Sequence, residues 1–88
     1  MRLDKYLKVS RLIKRRTLAK EVASAERIEI NGRIAKPASE VKPGDQITLH
    51  FGNRVLVVEV VTLTASINKE GAADLYRVIE ERYLREEV

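Results

Sequence analysis

Arg2, Lys5, Lys8 and Arg11 recur at every third residue of this chain, and the stretch RLIKRRTLAK adds Lys14, Arg15, Arg16 and Lys20 with no acid among them. The chemistry open to such a set is the capture of phosphate, because guanidinium and ammonium groups neutralise phosphate oxygens and displace their counterions. A charge run is often only a solvated helix face. Here the cations from Lys14 to Lys20 have one acid nearby, Glu21, so they repel one another at a cost that an unliganded surface does not need. The recurrence that begins at Arg2 also spreads the patch over a second element.

No convergent catalytic set accompanies these cations. His50 is the only histidine and falls on the exposed side of a strand, between the inward Leu49 and Phe51. Asp45 follows Pro43-Gly44 and reads as a turn residue. Asp4 lies in a first helical turn, where a carboxylate favours the macrodipole and can pair with Lys8. Ser10 and Thr17 have no base near them in sequence, and the scattered glycines form no phosphate-cradling loop. The chain has no cysteine, so it has neither disulfide nor thiolate, and stability must come from packing. No catalytic residue, metal or cofactor is expected.

The 88 residues are enough for one small domain. With 44% hydrophobic and 34% charged residues, the composition is that of a globular domain with a charged surface. No apolar run approaches the roughly 20 residues that a spanning helix needs, and MRLDKYLK has charges where a signal peptide needs its apolar segment. A cytoplasmic protein is expected. The net charge is +4, but residues 1–36 hold 11 Lys or Arg against 4 Asp or Glu, and residues 37–88 hold 6 against 9. The balances are +7 and −3, so one face is basic.

Two helices must position that face. In RLDKYLKV, residues 2–9, Leu3, Tyr6 and Leu7 form an apolar stripe, with Arg2, Asp4, Lys5 and Lys8 outside it. Ser10 ends this helix. A second helix runs from about Arg15 or Thr17 to Ser24 and stripes Leu18, Ala19, Val22 and Ala23, leaving Arg16 and Lys20 four apart on one exposed side. After Glu26 the period falls to 2. RIEI, the Asn31-Gly32 turn and Arg33 to Ala35 make a hairpin, KPASEVKPGD reads as a loop, and QITLHF and RVLVVEVV follow as strands joined at Gly52-Asn53. In them Ile47, Leu49 and Phe51 point inward, as do Leu56, Val58 and Val60, opposite Glu59. TASINKEG reads as a linker, and AADLYRVIEERYLREEV has a helical period with Leu75, Ile79 and Tyr83 on one side. The expected fold is therefore α+β, two short N-terminal helices packed on a small, mainly antiparallel sheet, plus a C-terminal helix. Residues 1–62 form the nucleic-acid-binding domain with its sheet extension, and 63–88 form the linker and C-terminal helix.

A membrane surface is the rival partner for the basic face, but interfacial helices set bulky apolar residues opposite their charges over a long segment. These helices are short and use their stripes for the core, so no membrane is expected. DNA is the other rival. A DNA-reading helix carries base-reading Asn or Gln, and the second helix has neither, whereas cations on a rigid surface suit recognition of RNA shape.

RLDKYL, the basic KRRTLAKEV and then RIEINGRIAKPASEVKPGD, in unbroken order from Arg2 to about Leu49, resemble the alpha-L RNA-binding domain family of small-subunit ribosomal protein four, tyrosyl-tRNA synthetases and many pseudouridine synthases. The resemblance implies that both helices and the following loop form the RNA face. Arg15-Arg16 stands where the family commonly has Ser-Arg, so Arg16 takes that arginine's RNA-contact role. Arg2 would be the other principal contact, with Lys5, Lys8, Arg11, Lys14, Arg15 and Lys20 in support. Asp4 matches a family position near the RNA face, where it would orient an arginine or touch RNA itself. The sheet extension and EGAADLYRVIEE resemble the stand-alone, ribosome-associated members of the family, of the heat-shock type and, more closely, the quality-control type. That likeness implies a monomeric, non-enzymatic factor on large ribosomal subunits obstructed by peptidyl-tRNA. It would contact 23S rRNA and tRNA and support an RqcH-type tailing factor that extends the nascent chain with alanine. The alternatives are a general rRNA-binding, assembly or heat-shock factor of the same fold, a fragment of an RNA-modifying enzyme, and a protein-interaction module acting through the C-terminal helix.

Overall fold

Residues 1–63 and 75–83 are described in a computed structural model of the chain. Helix α1 spans Leu3–Val9 and α2 spans Arg16–Ser24, followed by strands β1 (Ile28–Ile30), β2 (Arg33–Ile34), β3 (Gln46–Phe51), β4 (Arg54–Val60) and β5 (Tyr76–Tyr83). The strands form one antiparallel sheet in the order β2-β1-β3-β4-β5. No helix among the described residues is long and apolar enough to cross a membrane.

Turn chemistry sets the registers. Asn31 and Gly32 both hold positive φ, 54° and 84°, as the two-residue turn between β1 and β2 requires. Gly52, at φ 54°, opens the turn that pairs Phe51 with Arg54. Ile28, Ile30, Ile47, Leu49, Leu56 and Val58 then fall on one face, against which Leu3, Tyr6 and Leu7 of α1 and Ala19 and Ala23 of α2 pack. The alanines let α2 lie close to α1. Val55 and Val57 are buried as well, on the opposite face, where the ladder sets them against Arg82 and Glu80.

The loop after β2 is a structural partner of α1. The N–H of Leu3 donates to Ser39 O at 2.8 Å and that of Asp4 to Pro37 O at 3.0 Å, so loop carbonyls satisfy the first turn of a helix that has no side-chain cap. The Val41 N–H donates to Met1 O, and the Met1 amine donates to Glu40 at 2.8 Å. Arg2 pairs with Glu40 as an isolated bridge.

The expected C-terminal helix is corrected: Tyr76–Tyr83 is strand β5, paired along all of β4. Two physical reasons favour the strand. β4 would otherwise leave a row of backbone groups unpaired at an open sheet edge, and Tyr, Val and Ile are strand formers. The register slips between Val57 and Val58, which face Glu80 and Val78, so Ile79 is an extra, bulged residue. A spacing of four, as in 75, 79 and 83, fits a period of 2 as well as a helical one, and the structure buries Leu75 while leaving Ile79 and Tyr83 exposed. The TASINKEG linker lies outside the described residues.

At the start of this segment, the phenol of Tyr6 donates a buried hydrogen bond to Leu75 O at 2.6 Å, joining α1 to the entry of β5. Burial, with Tyr76 nearby, pushes the phenol above its ordinary value, so it remains a donor. Tyr6→Phe should leave that carbonyl unpaired and lower the unfolding free energy by about 1 kcal/mol in urea titration. An unchanged midpoint would show that the bond contributes nothing net.

Candidate nucleic-acid interface

The site is built on one buried carboxylate. Asp4 is 2% exposed, although it stands in a first turn among cations. Arg2 closes on it side-on, Nε to Oδ1 at 3.2 Å and Nη2 to Oδ2 at 3.1 Å, and Arg16 Nη2 lies 3.5 Å from Oδ1. The expected partner, Lys8, is replaced by these two arginines. Burial raises the Asp4 carboxyl, but the Arg2 hydrogen bonds, the charges of Arg2 and Arg16 and the Lys5 backbone N–H outweigh it, so its pKa lies below the ordinary carboxylate value. Both arginine side chains remain 51% exposed. Asp4 is thus an orienting group: it is closed to solvent while the guanidiniums it holds face outward.

Around this pair the other expected residues lie on the helices and the turn between them. Lys5, Lys8, Arg11, Lys14, Arg15 and Lys20 are all exposed, and among the described residues none forms an ion pair. Lys8, Arg11 and Lys14 line a cavity of about 300 Å³. Arg11 reaches it at the cost of an unusual backbone, φ 64°, in the position after α1 where glycine is the unstrained choice. Its N–H donates to Lys8 O at 3.0 Å, closing the helix end. An arginine in this conformation costs about 1 kcal/mol, which a position serving only to turn the chain would avoid.

The start of α2 adds a second electrostatic mismatch. Its first turn holds no acid, Arg15 at the N-cap contributes no side-chain bond, and Arg16 follows, so cations stand at the positive end of the helix. The free backbone N–H groups and the positive charge together suit an anion there.

One placement differs from expectation, and a second, on the exposed side of its strand as expected, gains a partner. Leu18, expected in the core stripe of α2, is 47% exposed, because α2 turns Ala19 and Ala23 into the core and Leu18 outward beside Lys14 and Arg15. His50 stands on the face opposite the helices, but its Nε2 lies 3.1 Å from Glu29 Oε2 across β1 and β3, so it is a cross-strand pair. Among the described residues no acid or histidine cluster could hold a metal.

The S4 domain family matches residues 1–47. Among relatives, an RQC P-site tRNA stabilizing factor of Bacillus subtilis is 57% identical over 98% of this chain and all of its own length. One of the same description from Streptococcus pneumoniae is 52% identical over the full length of both. Among solved structures, trimeric heat shock protein 15 of Vibrio cholerae superposes with a TM-score of 0.80 at 32% identity, covering 90% of this chain and 81% of that one.

A depressed folded-state pKa makes Asp4 stabilising above its unfolded value near 4, and that contribution is lost as pH falls through the lower folded value. Asp4→Asn should therefore lower the urea midpoint at pH 7, with the gap from wild type narrowing progressively below about pH 4. A gap independent of pH would refute the ionised role. Arg11→Gly should separate the two properties of that position. Stability should hold or rise by up to about 1 kcal/mol in thermal unfolding, while RNA affinity in a gel-shift titration falls.

Proposed function

The chain belongs to the S4-domain family, and on that footing we propose that it is a non-enzymatic RNA-binding factor of ribosome quality control. It would bind large ribosomal subunits obstructed by peptidyl-tRNA, contact 23S rRNA and tRNA together, and hold the tRNA while an RqcH-type factor adds alanine to the stalled chain. The observation that carries this reading is the Arg2–Asp4–Arg16 unit, two exposed guanidiniums fixed by one buried carboxylate. Most of the ordering that a phosphate contact needs is already present in the free protein, so little conformational entropy is lost on binding.

Holding a tRNA against a subunit requires two RNA contacts that stand apart yet move as one body. The Arg2 and Arg16 pair supplies one and the Lys8, Arg11 and Lys14 cavity the other, with Lys5, Arg15 and Lys20 between and around them. Both are carried by short helices seated on one sheet, which keeps their separation constant. The name of the relatives, stabilizing factors for P-site tRNA, agrees with that mechanical role. The factor would act in the cytoplasm as a monomer.

The second reading, a general rRNA-binding, assembly or heat-shock factor, is favoured by the likeness to heat shock protein 15. The two differ in the particle they choose. Sedimentation of tagged protein through a lysate gradient should place it on large subunits that also hold peptidyl-tRNA, and Arg16→Ala should reduce that fraction roughly ten-fold, as expected for one lost charge-assisted contact. Equal occupancy of vacant subunits would favour the second reading. A variant that sediments as wild type would remove Arg16 from the interface.

A further inference from the structure

Glu21 is the only acid of α2, and it pairs with none of the cations around it among the described residues. A free carboxylate beside a phosphate-binding surface repels the polyanion, so its position requires another reason. Together with Lys14, Arg15, Thr17 and Leu18 it lines an open cavity of about 350 Å³, a neighbour of the Lys8, Arg11 and Lys14 cavity through the shared Lys14. The two cavities differ in kind. Among the described residues the first is lined by three cations, whereas the second combines an exposed leucine, a hydroxyl and an unpaired acid with two cations.

Helix geometry brings the unlike groups together. Thr17 and Leu18 precede Glu21 by four and three residues, so all three lie on one turn-to-turn face of α2. Resting on the RNA-binding reading above, we propose that this cavity takes one unpaired guanine base of the bound RNA, read on its Watson–Crick edge by Glu21 and supported on its flat face by Leu18.

The choice of base follows from hydrogen-bond chemistry. An ionised carboxylate only accepts, so it needs two donors side by side. Guanine offers them in N1–H and the N2 amino group. Adenine and cytosine each set an acceptor nitrogen beside one amino group, and uracil flanks its single N–H with carbonyls, so each would bring a lone pair against a carboxylate oxygen. Unpaired bases are the ones whose edges and faces proteins read in RNA, by stacking and by hydrogen bonds. Lys14 and Arg15 would meet the phosphates on either side of that nucleotide and offset the repulsion between Glu21 and the backbone.

The test uses labelled UUUGUUU, UUUIUUU and UUUUUUU ribo-heptamers in fluorescence anisotropy at about 50 mM salt, where phosphate contacts are strong. The guanine heptamer should bind roughly ten-fold more tightly than the uridine one, the lower range for a bidentate side chain to base contact, and the inosine heptamer should fall between because it lacks the N2 donors. Glu21→Gln should erase the preference and leave uridine binding equal or stronger. Equal binding of guanine and uridine heptamers by wild type, or a preference that survives Glu21→Gln, overturns the proposal. If no heptamer binds while large subunits still do, the guanine site falls and the RNA-binding reading stands. If neither binds, both fall.

Discussion

One carboxylate out of water organises the basic end of this molecule. Asp4 would be costly to bury alone, and its ionised form survives because Arg2 and Arg16 both close on it. The consequence is mutual. The carboxylate obtains its counter-charges, and two long side chains from different elements, one just before α1 and one at the first position of α2, acquire a fixed separation. The loop at residues 36–41 completes the arrangement, since carbonyls of Pro37 and Ser39 hold the first turn of α1 and thereby place Asp4. Loop, helix start and arginine pair behave as one unit.

Against this ordered centre, the surrounding surface is electrostatically incomplete. Cations occupy the positive end of α2, Arg11 holds a left-handed backbone, and Lys8, Arg11 and Lys14 converge without an acid. Each of these costs free energy in the isolated protein; an anion would relieve the two electrostatic ones and would offset the backbone strain that places Arg11. Electrostatic mismatches at two places with one common remedy make a stronger argument than the number of positive charges.

The parts of this architecture that local pattern encodes were legible in the sequence. Stripes at Leu3, Tyr6 and Leu7 marked α1, and Asn31-Gly32 and Gly52-Asn53 marked the turns, because positive φ restricts the residue choice. The basic residues themselves were also legible, since they are exposed on short helices and a cation needs no partner to be seen. What was not legible depends on distant contacts. The partners of Asp4 could not be read from helical spacing, because Arg16 joins it from twelve residues away through the packing of two helices. Leu18 matched the apolar stripe by period, but the close approach allowed by Ala19 and Ala23 rotates it outward. β5 was read as a helix because Leu75, Ile79 and Tyr83, four apart, fit a helical stripe and a strand alternation alike, and the decisive factor, pairing with β4, lies sixteen or more residues upstream in sequence.

The same residue types serve opposite ends in the two parts of the fold. On β4 and β5, Arg54, Arg77 and Arg82 each meet a carboxylate, Glu81, Glu59 and Glu80 respectively, so among the described residues the arginines of these two strands are paired. On α1, α2 and their connection the cations other than Arg2 and Arg16 are left open. Pairing on an exposed surface adds little stability, so its effect here is on the field more than on the folding energy. With charge cancelled on β4 and β5 and uncancelled on the helices, the field has a direction: a polyanion would be drawn to the helix side, as the proposed function requires. On the proposed reading, that polarity presents both phosphate contacts together, because a uniformly basic protein of the same net charge would meet RNA in many orientations.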